Sequence, residues 1–129
     1  MPGRVVDASA LGALIFGEPD AAEVVSLLDE AEIYVPTLLP YELASIARKK
    51  ISRYPEQREA LLQALAFSLF MDIRLIEVNG LELVDLALET GLSVYDASYL
   101  YLSENLGMEL ITFDQRLREA ASLRVRRPD

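Results

Sequence analysis

Short apolar runs alternate with longer stretches of helical periodicity along the chain, and this alternation limits most narrowly what it can fold into. "GRVV", "EIYVP", "IRLIEV" and "ELITF" have strand length and are rich in β-branched residues. Between them lie segments whose apolar residues recur every three to four positions, as in "AAEVVSLLDEA" and "LELVDLALET". Strands separated by helices pair in parallel, and a parallel sheet needs helices over both faces. The expectation is an α/β fold: a three-layer α/β/α sandwich with a small, mostly parallel central sheet.

Turn and cap residues set the expected boundaries. The first strand ends at Asp7, and the helix after it stops near Gly17. Pro19 and Asp20, with Glu23 three residues later, look like a capping-box start for the next helix. Pro36 closes the second strand. Thr37 is expected to cap a helix through about Ile51, with Pro40 tolerated in its first turn. "SRYP" reads as a turn, Glu56 to Met71 as a long helix, and Asn79 or Gly80 to Gly91 as another. Ser93 caps a helix ending near Gly107, and "ELITF" is a strand ending at Asp114. A short helix follows, and "LRVRR" reads as a last edge strand. With 129 residues and no repeat, linker or low-complexity tract, residues 1–129 are expected to form one domain.

Composition narrows the chemistry. The apolar fraction of 52% suffices for a core, and no apolar run approaches the ~20 residues of a membrane span. "MPGRVVDASAL" lacks the layout of a signal peptide and cysteine is absent, so a cytoplasmic location is expected. Histidine is absent too, which removes the commonest general base, the Ser-His and Cys-His nucleophile systems and imidazole metal ligands. Lysine occurs only at Lys49 and Lys50. A hydrolase with this composition is left mainly with carboxylates holding hard cations. The net charge of −9 argues against a general basic face for nucleic acid. Divalent ions bound among the acids would remove much of that objection locally.

Four acids stand where a bland account is incomplete. Asp7 ends an apolar strand at the sheet's carboxyl edge, where such sheets bind ligands, though it could equally be a helix N-cap. Asp114 has the same two readings, with Thr112 as the rival cap. Glu42 shares a helix face with Leu38, Leu39 and Ile46, so it points into the apolar stripe; a buried ion pair is the structural alternative. Asp96 lies in "SVYDASYLYL", with Tyr99 and Leu100 on its face. The Ser93-to-Asp96 spacing is that of a capping box, which explains the acid locally but not the apolar helix around it. Four converging carboxylates repel one another, and Mg²⁺ or Mn²⁺ relieves the repulsion with oxygen ligands alone.

"VVDASAL", "YELASIARKK", "GLSVYDASYLYLSENLG" and "LITFDQRL" resemble, in order and spacing, the four acidic blocks of PIN-domain proteins, and more narrowly those of VapC-type toxins from toxin–antitoxin pairs. The resemblance covers nearly the whole chain and implies a PIN-like sandwich. It implies metal-binding catalytic acids at Asp7, Glu42, Asp96 and Asp114, supported by Ser9 and Thr112. It further implies an RNA-cleaving enzyme with one or two Mg²⁺ (or Mn²⁺) ions, products with 5′-phosphate and 3′-hydroxyl ends, a cognate antitoxin protein as partner and a homodimer. An acid that some members carry one turn after the last is replaced here by Leu117. Arg48, Lys49 and Arg116 are candidates for the RNA backbone, with Arg118 similar; for Arg48 and Lys49 the plainer role is to offset a helix C-terminal dipole. "LLQALAFSLF" offers apolar surface for a second copy if it is not core.

Other acidic α/β domains fit less well. A response-regulator receiver needs an acidic pair after its first strand and a late lysine, and no lysine follows Lys50. Haloacid-dehalogenase-type phosphatases want a second Asp where this chain has Ser9. An inert PIN-like module that binds a protein or RNA without cutting is the remaining alternative.

Overall fold

Val5 and Val6 are neighbours on the first strand, and both are fully buried. Adjacent strand residues point to opposite faces, so the sheet is covered on both sides there. The computed structural model of the chain describes residues 3–125. Among them are β1 (Gly3–Val6), α1 (Ala8–Ile15), α2 (Ala21–Leu28), β2 (Glu32–Pro36), α3 (Leu39–Arg53), α4 (Arg58–Ser68), β3 (Ile73–Ile76), α5 (Gly80–Thr90), α6 (Val94–Leu106), β4 (Glu109–Ile111) and α7 (Gln115–Val125). A 3₁₀ turn, Pro55–Gln57, leads into α4.

The sheet order is β3-β2-β1-β4, and all three pairings are parallel. One register matters for function. Val6 pairs with Ile111, so the chain leaves β1 and β4 side by side. The Asp7 N–H continues that ladder by donating to the Ile111 carbonyl at 3.1 Å. The helices fall into two packing groups, α1 to α4 and α5 to α7, with α6 lying against β1, β2 and β4. The expected α/β/α sandwich with a small parallel sheet is what the chain forms.

Four local expectations need correcting. Thr37 does not cap α3: its N–H still bonds the Ile76 carbonyl at 3.2 Å, extending the β2–β3 ladder. The cap position falls to Leu38, which makes no side-chain cap bond, and the helix runs on to Arg53. Asp20 likewise makes no cap bond to α2. The expected helix from Glu56 splits into the 3₁₀ turn and a shorter α4. The "LRVRR" strand is absent over Leu123–Val125, which complete α7; Arg126 and Arg127 lie outside the described residues. No helix breaker interrupts Gln115 to Val125, and Leu117 and Ala120 bury at helical spacing. Arg124 then pairs with Glu89 and Glu104 from the last turn.

Among the described residues, no helix is long and apolar enough to cross a membrane.

Candidate active site

One strand end, two helix starts and the loop after β4 supply the four acids: β4 stops at Ile111, so Asp114 lies three residues beyond the strand expected to end on it. Asp7 follows β1 directly and is 3% exposed. Its Oδ1 accepts from the Ser9 hydroxyl (2.7 Å) and the Ala10 N–H (3.0 Å), and its Oδ2 accepts from the Thr112 hydroxyl (2.5 Å). The cap reading of Asp7 is therefore correct, and it accounts for only one of three bonds. The β1–β4 register explains the Thr112 contact, because residue 112 directly follows the partner of Val6.

The same polar cluster positions Asp114. Thr112 Oγ1 accepts from the Asp114 N–H at 2.9 Å, and Ser9 Oγ accepts from the Phe113 N–H at 3.0 Å. Asp114 Oδ1 caps α7 by accepting from the Leu117 N–H at 2.9 Å. Ser9 and Thr112 thus tie the first acid to the loop that carries the last. Leu117 is fully buried, so the position of the replaced acid belongs to the core.

Glu42 and Asp96 enter from the first turns of α3 and α6. Glu42 is half-buried, as its apolar face required, and its Oε1 accepts from the Tyr99 hydroxyl at 2.5 Å. At Asp96 only half of a capping box forms. Ser93 Oγ accepts from the Asp96 N–H at 3.0 Å, and among the described residues no bond returns from the Ser93 N–H to the carboxylate. Tyr99 and Leu100 are buried as expected, whereas Tyr95 is 64% exposed.

The electrostatics tie the acids together. Burial pushes the Asp7 carboxyl up, against its bonds from Thr112, Ser9 and Ala10, and the Asp114 charge adds to the rise. Burial also raises Glu42; the Tyr99 bond opposes it, and the charges of Asp96 and Asp7 reinforce it. Asp96 is raised by burial and then by Asp114 and Asp7, with Ser93 and Arg116 pulling it down. All four acids therefore share one electrostatic neighbourhood, with no histidine or lysine to neutralise it.

The basic candidates separate. Arg116 stands at the site: its charge acts on Asp96 and its Nη2 donates to the Gly91 carbonyl at 2.8 Å. Arg118 donates to the Thr112 carbonyl at 2.8 Å, bracing the same loop. Arg48 and Lys49 are exposed near the end of α3, with Lys49 two turns, or ~10 Å, beyond Glu42. Lys50 pairs with Glu18 at 3.1 Å instead of facing the acids. Reasoning on the sequence took Tyr99 for packing and missed its bond to Glu42. A buried phenol needs a partner, and that was the available signal.

Only oxygen donors and a surplus of negative charge meet here, which fits a hard divalent cation. The side chains are not closed around one point: among the described residues, no three acids stand poised as placed to hold an ion.

Residues 4–123 match the PIN domain family. Ribonuclease VapC3 of Pyrobaculum aerophilum is 32% identical over 120 residues, covering 89% of this chain and 92% of that protein. Ribonuclease VapC9 of Mycobacterium tuberculosis is also 32% identical, covering 89% and 88%. The crystal structure of PAE2754 from Pyrobaculum aerophilum superposes with a TM-score of 0.76 at 27% identity, over 92% of this chain and 84% of that one. Mycobacterium tuberculosis VapC20, described as a sarcin–ricin loop cleaving toxin, shares the fold with a TM-score of 0.67 at 19% identity, over 92% and 95%.

Proposed function

We propose, from the premise that the chain belongs to the PIN-domain family and within it to the VapC group, that it is a divalent-metal-dependent endoribonuclease acting in the cytoplasm as the toxin of a toxin–antitoxin pair. The observation that carries this reading is the gathering of Asp7, Glu42, Asp96 and Asp114 into one mutually repelling set at the sheet's carboxyl edge. Relatives named ribonucleases, matched over most of their length, supply the substrate class.

In this reading the four carboxylates hold one or two Mg²⁺ (or Mn²⁺) ions. When bound, such a cation acts as a Lewis acid that lowers the pKa of water and offsets charge developing at phosphorus. Ser9, Thr112 and the Ala10 N–H fix the Asp7 carboxylate, and their bonds favour its charged form against the burial that raises its pKa. Arg116, anchored on the Gly91 carbonyl, holds a positive charge that acts on Asp96 and would favour a phosphate approaching the acids. Arg48 and Lys49 lie farther along α3 and would follow the RNA backbone. A 2′-hydroxyl nucleophile has no part in this scheme. Single-stranded RNA is expected to be cut by the purified chain with Mg²⁺ or Mn²⁺ and to remain intact in chelator; cleavage unaffected by chelator contradicts the reading.

The alternative is an inert PIN-like module that binds protein or RNA without cutting. Calorimetry separates the two. Mn²⁺ binding with micromolar to millimolar affinity supports the enzyme, and its absence supports the module.

An apolar groove of about 420 Å³ runs between α3, α4 and β3, lined by Leu39, Leu43, Leu62, Leu65 and Met71 among others. Phe67, Leu69 and Phe70 beside it are 67%, 77% and 86% exposed, so the "LLQALAFSLF" stretch is largely surface. A patch of this kind asks for a protein partner. We assign it to a second copy of the chain, and the acidic cleft to a basic segment of an antitoxin. Light scattering of the isolated chain is expected to give the dimer mass; a monomer at micromolar concentration contradicts the assignment.

A further inference from the structure

We infer that Tyr99 is a positioning residue of the metal site, acting through Glu42 and not on substrate. The inference rests on the carboxylate site proposed above. Tyr99 is 1% exposed, and its hydroxyl donates to Glu42 Oε1 at 2.5 Å. Its ring lies three residues after Asp96 on α6, so one helix carries both an acid of the set and the support of another. The bond spans 57 positions of sequence and joins α3 to α6 across the site.

Glu42 has reason to need such support. Its side chain is a methylene longer than an aspartate's, and it starts from a helix without a side-chain cap. Asp96 and Asp7 repel it. Among the described residues, the phenol is its only hydrogen-bond donor. A buried ring has few rotamers open to it, so the hydroxyl is a fixed anchor. It holds Oε1 of the carboxylate, and Glu42 would offer a cation the oxygen the phenol does not use. Outer partners of this kind typically set metal affinity by ~10- to 100-fold.

The test is Mn²⁺ titration by calorimetry, with melting temperature recorded in chelator, on the full chain. The set is wild type, Tyr99→Phe, Glu42→Gln and the double variant. Tyr99→Phe keeps the ring and removes only the hydroxyl. It is expected to fold and to bind Mn²⁺ ~10-fold or more weakly. In the Glu42→Gln background the same change is expected to cost little or nothing, because the anchored ligand has already gone. Equal affinity of Tyr99→Phe and wild type overturns the inference while leaving the metal site standing. An equal loss in both backgrounds, or a Tyr99→Phe chain that no longer folds, makes the hydroxyl structural and overturns it as well. A wild type that binds no Mn²⁺ removes the site itself, and the inference with it.

Discussion

Asp96→Asn is expected to lower Mg²⁺-dependent RNA cleavage by at least ~10³-fold, equivalent to ~4 kcal/mol of transition-state stabilisation. Asn keeps the size of the side chain and removes the charge. The fold should tolerate it, because the cap bond at this position runs from the Asp96 N–H to the Ser93 hydroxyl and does not use the carboxylate. Removing a charge that Asp114 and Asp7 repel should even stabilise the metal-free chain slightly. Activity is expected to fall because, on the proposed reading, Asp96 is one of the acids that would hold a cation. Asp72→Asn, on the exposed turn before β3, is the control and should leave the rate unchanged. Full activity in Asp96→Asn, measured at saturating Mg²⁺ with its melting curve checked, would remove Asp96 from the site.

The second large effect is on stability. Asp7, Glu42 and Asp96 all have raised pKa values, so the folded chain holds these protons more tightly than the unfolded chain does. That stabilisation is fully present below the unfolded values, 3.8 for Asp and 4.5 for Glu, and is lost as pH rises through the raised folded values. At neutral pH the metal-free chain therefore carries unrelieved repulsion. Two routes relieve it. In chelator, lowering the pH from 8 toward 5 should raise the melting temperature. At pH 8, Mn²⁺ at ~100 times its Kd should add ~2.7 kcal/mol, a shift on the order of 10 °C. The routes compete, since a proton and a cation want the same oxygens, so the gain from Mn²⁺ should shrink on acidification. Exposed pairs such as Arg74–Glu32 contribute little to this balance. A melting temperature that falls steadily from pH 8 to 5 in chelator, with no response to Mn²⁺ at pH 8, contradicts the account of the cluster.

The fold was legible because its signals are local and repeated. "GRVV" followed by a helix, then "EIYVP" followed by a helix, admits few arrangements besides a covered parallel sheet. Where the reading failed, a tertiary bond outweighed a local preference. Thr37 has the chemistry of a cap, yet its N–H is spent on Ile76 in the sheet. "LRVRR" has strand propensity, yet over Leu123–Val125 it continues the helix that buries Leu117 and Ala120, and Arg124 pairs with Glu89 and Glu104 from its last turn. At the site, the acids were visible as charges out of pattern: Glu42 on an apolar stripe, Asp96 in an apolar helix. Ser9 and Thr112 lie two residues from acids and were visible by resemblance. Tyr99 was not, because its partner stands 57 residues away and depends on how α3 and α6 pack. Arg116 and Lys49 looked equivalent as charges in sequence, and only the fold brings Arg116 within electrostatic reach of Asp96.

The most direct test of the central claim, that this acidic set cleaves RNA with a divalent cation, is the chemistry of the product ends. The chain would be incubated with single-stranded RNA and Mg²⁺ or Mn²⁺, and the fragments examined by enzymatic end-labelling and mass spectrometry. Attack by water at phosphorus with departure of the 3′ oxygen, the step the proposed reading requires, would leave 5′-phosphate and 3′-hydroxyl ends, and the reaction would stop in chelator. Fragments ending in 2′,3′-cyclic phosphate, formed equally well in chelator, would contradict it.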